Sequence, residues 1–167
     1  MKIYTSDIQC QSRSDRHSCE REAVNRLVIQ AFGTEAELCH NADGKPYING
    51  RPEVHISISH SIDQCLLAVS DTPIGIDSET ARTQLARIAN RFLTPNEIAR
   101  GPHTMSELLK MWTAKEAVFK CASVSDLVIS EIEVSATMDY ASARGIRYAV
   151  RFITDTPERV TALASII

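Results

Sequence analysis

Gly75-Ile76-Asp77-Ser78-Glu79 and, further along, Trp112-Thr113-Ala114-Lys115-Glu116-Ala117-Val118-Phe119-Lys120 decide the fold. The first reads as part of a strand from Ile74 to Glu79, on which Asp77 and Glu79 point the same way. The second lies in the strongest helical pattern of the chain. That helix opens at the capping box Thr104-Met105-Ser106-Glu107 and runs to about Cys121. Met105, Leu108, Leu109, Trp112 and Phe119 form one apolar stripe at the helical period, and the charged Lys115 and Glu116 fall on it. Lys120 lies one helical turn beyond Glu116, at the edge of the stripe.

Working outward, Thr94-Pro95-Asn96-Glu97 is a second helix start, preceded by a helix from about Gln84 carrying Leu85, Ile88, Ala89 and Phe92. Upstream, Val24, Leu27, Val28 and Ala31 give a helix from about Asp15 to Phe32, with Gly33 as its cap. Glu53 to Ser61 alternates, Val54, Ile56 and Ile58 on one face and His55, Ser57 and Ser59 on the other, so it predicts a half-buried strand. Cys65 to Ser70 is the next strand. Leu127 to Val134, Arg147 to Ile153 and Val160 to Ile166 follow as antiparallel strands. Strands and helices come in mixed blocks rather than strict alternation, which favours α+β.

The chain has 167 residues, 44% apolar and 23% charged, with a formal charge of −3. This excludes whole-chain disorder, and runs such as Leu66 to Val69 are far too short to span a membrane. The mild acidity argues against a general nucleic-acid binder. The N-terminus lacks the apolar core of a signal peptide. Five scattered cysteines form no CxxC pair and five histidines no HExxH pair, so zinc has no support and reduced thiols in a cytoplasmic protein are expected.

Three places break local rules. Asp77 and Glu79 repel one another on a strand, which suits either a solvated face or a divalent cation; Mg²⁺ takes one or two carboxylates and leaves its other positions to water and phosphate. Glu116 sits on an apolar stripe, where a carboxylate needs a partner or a metal. His60 ends an apolar strand face between Ser59 and Ser61, as a structural residue or a phosphate donor. Lys45, in the turn Gly44-Lys45-Pro46, is either solvent-exposed or a point charge for phosphate.

In this order and spacing, Gly44-Lys45-Pro46, Ile58-Ser59-His60-Ser61, Gly75 to Glu79, Arg91 to Glu97 and Trp112 to Lys120 resemble the 4′-phosphopantetheinyl transferase family. The GIDxE and WxxKEAxxxK pair is the specific part. The resemblance implies that the chain moves the phosphopantetheine arm of coenzyme A to a serine of an apo carrier protein, with Mg²⁺ as cofactor. The alternative is a relative that binds coenzyme A or the carrier without transfer.

The resemblance further implies Asp77, Glu79 and Glu116 as metal ligands, with Glu116 or a metal-bound water taking the serine proton. It implies Lys120 near the pyrophosphate and Lys115 as a further coenzyme contact. Lys45, Pro46, Ser59 and His60 would hold the nucleotide, with Arg16 or Arg21 adding to the basic patch. The GIDxE element begins only at Gly75, so the chain is similar to the surfactin-synthetase-activating, two-half type. That type implies related α+β halves at 1–72 and 73–167 about a pseudo-two-fold, with the site between them in one monomer. Ser78 stands where the family has an aliphatic residue, and a packing cost is expected there.

Overall fold

Capping and periodicity set the helices, and edge pairing sets the strands. The computed structural model of the chain describes residues 1–10, 12, 14–122, 124 and 126–167. In chain order the elements are β1 (Lys2–Asp7), α1 (Arg16–Phe32), β2 (Leu38–His40), β3 (Pro46–Ile48), β4 (His55–His60), β5 (Gln64–Ser70) and β6 (Ile74–Thr80). There follow α2 (Gln84–Phe92), α3 (Pro95–Ala99), α4 (Met105–Cys121), β7 (Glu133–Val134), β8 (Tyr140–Ala143), β9 (Ile146–Asp155) and β10 (Arg159–Ile166). The fold is α+β, as the mixed blocks predict. Both capping boxes form: Thr94 and Thr104 accept from the N–H of Glu97 and Glu107, whose carboxylates return to the cap N–H groups.

Two antiparallel sheets build the molecule, in orders β1-β5-β4 and β6-β10-β9-β8-β7, with a separate β2–β3 hairpin. Helix α1 covers one face of the first sheet, its Ala23, Leu27 and Val28 packing with Ile56, Cys65 and Leu67. The other face meets β6 and β10 through Leu66, Ala68, Ile74, Ile76 and Leu163. Strand β4 is therefore not half-buried as its alternation predicts. Ser57 and Ser59 are each 3% exposed, because their face is covered by β6 instead of solvent. Their hydroxyls do the work of a missing ladder: Ser57 Oγ accepts from Ile76 N–H and Ser59 Oγ from Ser78 N–H, both at 3.0 Å.

Helix α4 packs on the second sheet with Ala114, Ala117, Val118 and Cys121 against Ala162 and Ala164. The approach is unusually close at Gly75, where a Cβ would lie 1.9 Å from the Ala117 carbonyl oxygen and 2.6 Å from Cys121 N. The buried face of α4 is rotated from the predicted stripe. Met105 and Phe119 are exposed, Lys115 is wholly enclosed, and Glu116 sits half-buried at the margin.

Lys115 is consequently not a coenzyme contact. Its ammonium donates to Glu97 Oε2 (2.6 Å), the Phe92 carbonyl (2.7 Å) and the Ile132 carbonyl (2.5 Å), which uses all three of its donors. Burial pushes its pKa down and Glu97 opposes that shift. Glu97 also accepts from Val134 N–H at 2.8 Å. This pair explains a second departure: the predicted strand from Leu127 to Val134 is a 3₁₀ turn at Ile129–Glu131 and the two-residue β7. Side chains take backbone groups there that a longer strand would pair. Strands β1, β2, β3 and β8 carry no sequence signal of their own, being short or without alternation. Ser78, expected to cost packing, finds Thr161 Oγ1 at 2.9 Å.

Two substitutions test this framework by chemical denaturation. Gly75→Ala is expected to destabilise by about 3 kcal/mol, since overpacking here meets backbone atoms that have no rotamer to change. Lys115→Met is expected to cost about 3–5 kcal/mol by stranding the Glu97 charge, and Lys115→Met with Glu97→Leu to recover part of that loss. A Gly75→Ala midpoint equal to wild type, or additive losses in the double variant, would contradict these assignments.

Candidate active site

The three carboxylates and the basic residues of the sequence motifs meet where α4 crosses β6 beside β4. Asp77 and Glu79 share the β6 face that α4 covers, and Asp77 is only 5% exposed. Its Oδ1 accepts from Lys120 Nζ at 2.7 Å and Ser59 Oγ at 3.0 Å, while its Oδ2 is buried without a partner. Lys120 also donates to the Ile76 carbonyl at 3.2 Å. Glu79 Oε1 accepts from Trp112 Nε1 at 3.0 Å and Arg82 Nη2 at 2.9 Å. Burial raises the Glu79 pKa, and the Trp112 hydrogen bond works against that rise.

Glu116 completes the group electrostatically. Burial, and then the neighbouring Asp77 charge, pushes its pKa up to about 7, with Lys120 opposing. Among the described residues no three His, Cys, Asp or Glu side chains already surround one point as metal ligands. The donor set nevertheless suits a hard cation. An orphaned buried carboxylate oxygen carries a desolvation cost of about 1–3 kcal/mol or more, and a cation beside it removes that cost.

Beside this group opens a cleft of about 980 Å³ between α1, β4, the β2–β3 hairpin and the C-terminal end of α4. Lys45, Pro46, His60 and Lys120 line it, as does Arg21. Burial lowers the pKa of both Lys45 and His60. Two expected nucleotide contacts are placed elsewhere. Arg16 is spent on the Ser61 and Ile62 carbonyls (2.7 and 3.1 Å) and on Glu20 (2.7 Å), and does not line the cleft. Ser59 faces Asp77 and β6, so its hydroxyl is part of the seam between the sheets.

The motifs did not point to Arg51, which lines the cleft with its guanidinium 5.4 Å above the Phe32 ring. Among the described residues Arg21, Lys45 and Arg51 have no ion-pair partner, while Glu20, Asp43 and Asp126 also line the cleft. His17, His40 and His55 line it too, making four of the five histidines. The turn Asn49-Gly50-Arg51-Pro52 before an alternating strand was the available signal for Arg51.

Such a site pairs a cleft whose lysine, arginines and histidines are donors of the kind phosphates use with a carboxylate group whose chemistry suits a cation or a proton. Comparison with known proteins agrees with the motifs. The chain is 38% identical over 84 residues to a 4′-phosphopantetheinyl transferase of Bacillus subtilis, covering 47% of this chain and 38% of that protein. It is 35% identical over 83 residues to 4′-phosphopantetheinyl transferase psf-1 of Bacillus pumilus (47% and 36%). It is 32% identical over 105 residues to 4′-phosphopantetheinyl transferase gsp of Aneurinibacillus migulanus (58% and 44%). Each match spans less than half the length of the relative. No helix among the described residues is long and apolar enough to cross a membrane. Residues 73–159, which carry the carboxylates, Trp112 and Lys120, match the family model of the 4′-phosphopantetheinyl transferase superfamily, and the chain belongs to that superfamily.

Proposed function

We propose that this chain transfers the 4′-phosphopantetheine arm of coenzyme A to a serine hydroxyl of an apo carrier protein. The observation that carries the reading is the junction of the cleft holding Arg21, Lys45 and Arg51 with Asp77, Glu79 and Glu116 at Lys120, a residue common to both. In the reaction the serine oxygen bonds to the phosphorus next to the pantetheine. The bridging phosphate bond breaks, and adenosine 3′,5′-bisphosphate leaves.

Glu116, held near neutrality by burial and by Asp77, suits acceptance of the serine proton. Lys120 is suited to stabilise charge on the departing bisphosphate. Lys45, Arg21, Arg51 and His60 would bind the nucleotide and its phosphates along the cleft. Asp77, Glu79 and Glu116 would hold Mg²⁺, which when bound supplies positive charge to the pyrophosphate. The β1-β5-β4 sheet with α1 and the β6–β10 sheet with α4 are proposed as the two halves, 1–72 and 73–167. Both cleft walls come from one chain, which supports action as a monomer; a cytoplasmic setting fits coenzyme A as co-substrate.

The test is incubation with coenzyme A, Mg²⁺ and a panel of apo carrier proteins. Mass spectrometry should find one phosphopantetheine added to the carrier, and no gain on any carrier sinks the reading. Glu116→Gln is expected to lower kcat by at least about 100-fold with an unchanged unfolding midpoint. Lys45→Met and Arg51→Met are each expected to raise the KM for coenzyme A by about tenfold or more, with kcat nearly kept, through loss of a charge-assisted contact. Near-normal turnover in Glu116→Gln refutes its role as base, and an unchanged KM in both cleft variants removes the cleft from the reading.

A further inference from the structure

The donors around Glu79 carry an inference that rests on the metal reading above. Trp112 and Arg82 both donate to the same oxygen, Oε1, at 3.0 and 2.9 Å. Among the described residues no hydrogen bond engages Oε2. The indole is itself held: its ring stands edge-on to Phe92, centroids 5.2 Å apart and planes at 72°, within the cluster of Leu85, Phe92 and Leu109. Asp77 shows the same division, with Oδ1 held by Lys120 and Ser59 and Oδ2 buried without a partner. Two neighbouring carboxylates thus each have one oxygen anchored and one left over.

We propose that Trp112 and Arg82 are positioning residues that make Glu79 offer a single oxygen, Oε2, to a divalent cation, and that this favours Mg²⁺ over Ca²⁺. A carboxylate oxygen already accepting two N–H bonds is a poor second ligand. Mg²⁺ demands a tight octahedral shell and binds through one or two carboxylates, whereas Ca²⁺ accommodates both oxygens of one carboxylate. The terminal torsion of a glutamate is broad, so without its donors Glu79 turns and presents both oxygens. Trp112 and Arg82 act through Glu79 and are assigned no contact with the reacting atoms.

Isothermal titration calorimetry with Mg²⁺ and with Ca²⁺, on the full chain without carrier protein, tests this apart from turnover. It is run with and without coenzyme A on wild type, Trp112→Phe and Arg82→Met. Phenylalanine keeps an aromatic ring at the Phe92 contact and removes the N–H donor together with part of the indole's volume. The expected result for Trp112→Phe is a 10- to 100-fold loss of Mg²⁺ affinity with Ca²⁺ affinity kept, so that the Mg²⁺-to-Ca²⁺ preference falls at least tenfold. Arg82→Met shifts the preference the same way by less, because Arg82 is exposed.

Should Trp112→Phe fail to fold, Arg82→Met, a surface change, decides the matter alone. Trp112 is the only tryptophan, so its emission gives a second reading of cation binding in wild type and Arg82→Met. An unchanged preference in the folded variants overturns the positioning role and leaves the proposed function standing. Absence of Mg²⁺ binding to wild type, with coenzyme A present, overturns the metal reading and this inference together.

Discussion

The contact of α4 with β6 at Gly75 is the constraint on which the rest of the structure depends. The Ala117 carbonyl oxygen occupies the space that any larger residue at 75 would fill with its Cβ. The helix therefore lies directly on the strand rather than at the usual separation of packed side chains. Glu116 and Lys120, each one residue before the contact residues Ala117 and Cys121, come down beside Asp77 and Glu79. The geometry of the polar group is thus set by a steric vacancy, and a looser α4 would leave Lys120 short of Asp77.

Two further devices hold that register. On one side the Ser57 and Ser59 hydroxyls take the β6 N–H groups of Ile76 and Ser78, so the first sheet is fixed against the strand that carries Asp77. On the other, the enclosed Lys115–Glu97 pair ties α4 to α3, to the end of α2 and to β7. A buried pair of this kind adds little net stability over an apolar substitute. Its value lies in specifying one arrangement, since each partner is costly to leave alone. The cations of the molecule divide accordingly. Arg16 and Lys115 are committed to protein oxygens, Lys120 is shared between Asp77 and the cleft, and Arg21, Lys45 and Arg51 line the cleft without an ion-pair partner among the described residues.

Legibility in the sequence followed the range of the interaction. The capping boxes at Thr94 and Thr104, the Gly33 cap and the alternation of β4 depend on near neighbours and were readable. The adjacency of Asp77 and Glu79, and the place of Glu116 one turn before Lys120, follow from strand and helix periods. What the sequence concealed depends on partners distant along the chain. Lys115 and Glu116 looked equivalent on one stripe until Glu97, Phe92 and Ile132 claimed the lysine. Ser57 and Ser59 looked solvent-facing until β6 covered them. Arg51 carried no motif, and its place in the cleft comes from the turn before β4 and the Phe32 ring.

In the carboxylate group burial and like charge work against the fold, and the chain offsets this in three ways. Lys120 supplies a full positive charge to Asp77, and Trp112 and Arg82 supply oriented donors to Glu79. Glu116 has no hydrogen-bond donor given to it among the described residues, and burial and the Asp77 charge raise its pKa to about 7 against the pull of Lys120. A bound proton and a bound cation are alternative answers to the same excess of negative charge. A group that holds the one loosely is well placed to exchange it for the other. The feature that costs the fold stability is therefore the feature that, on the proposed function, would suit one small cluster both to take a proton and to hold a metal ion.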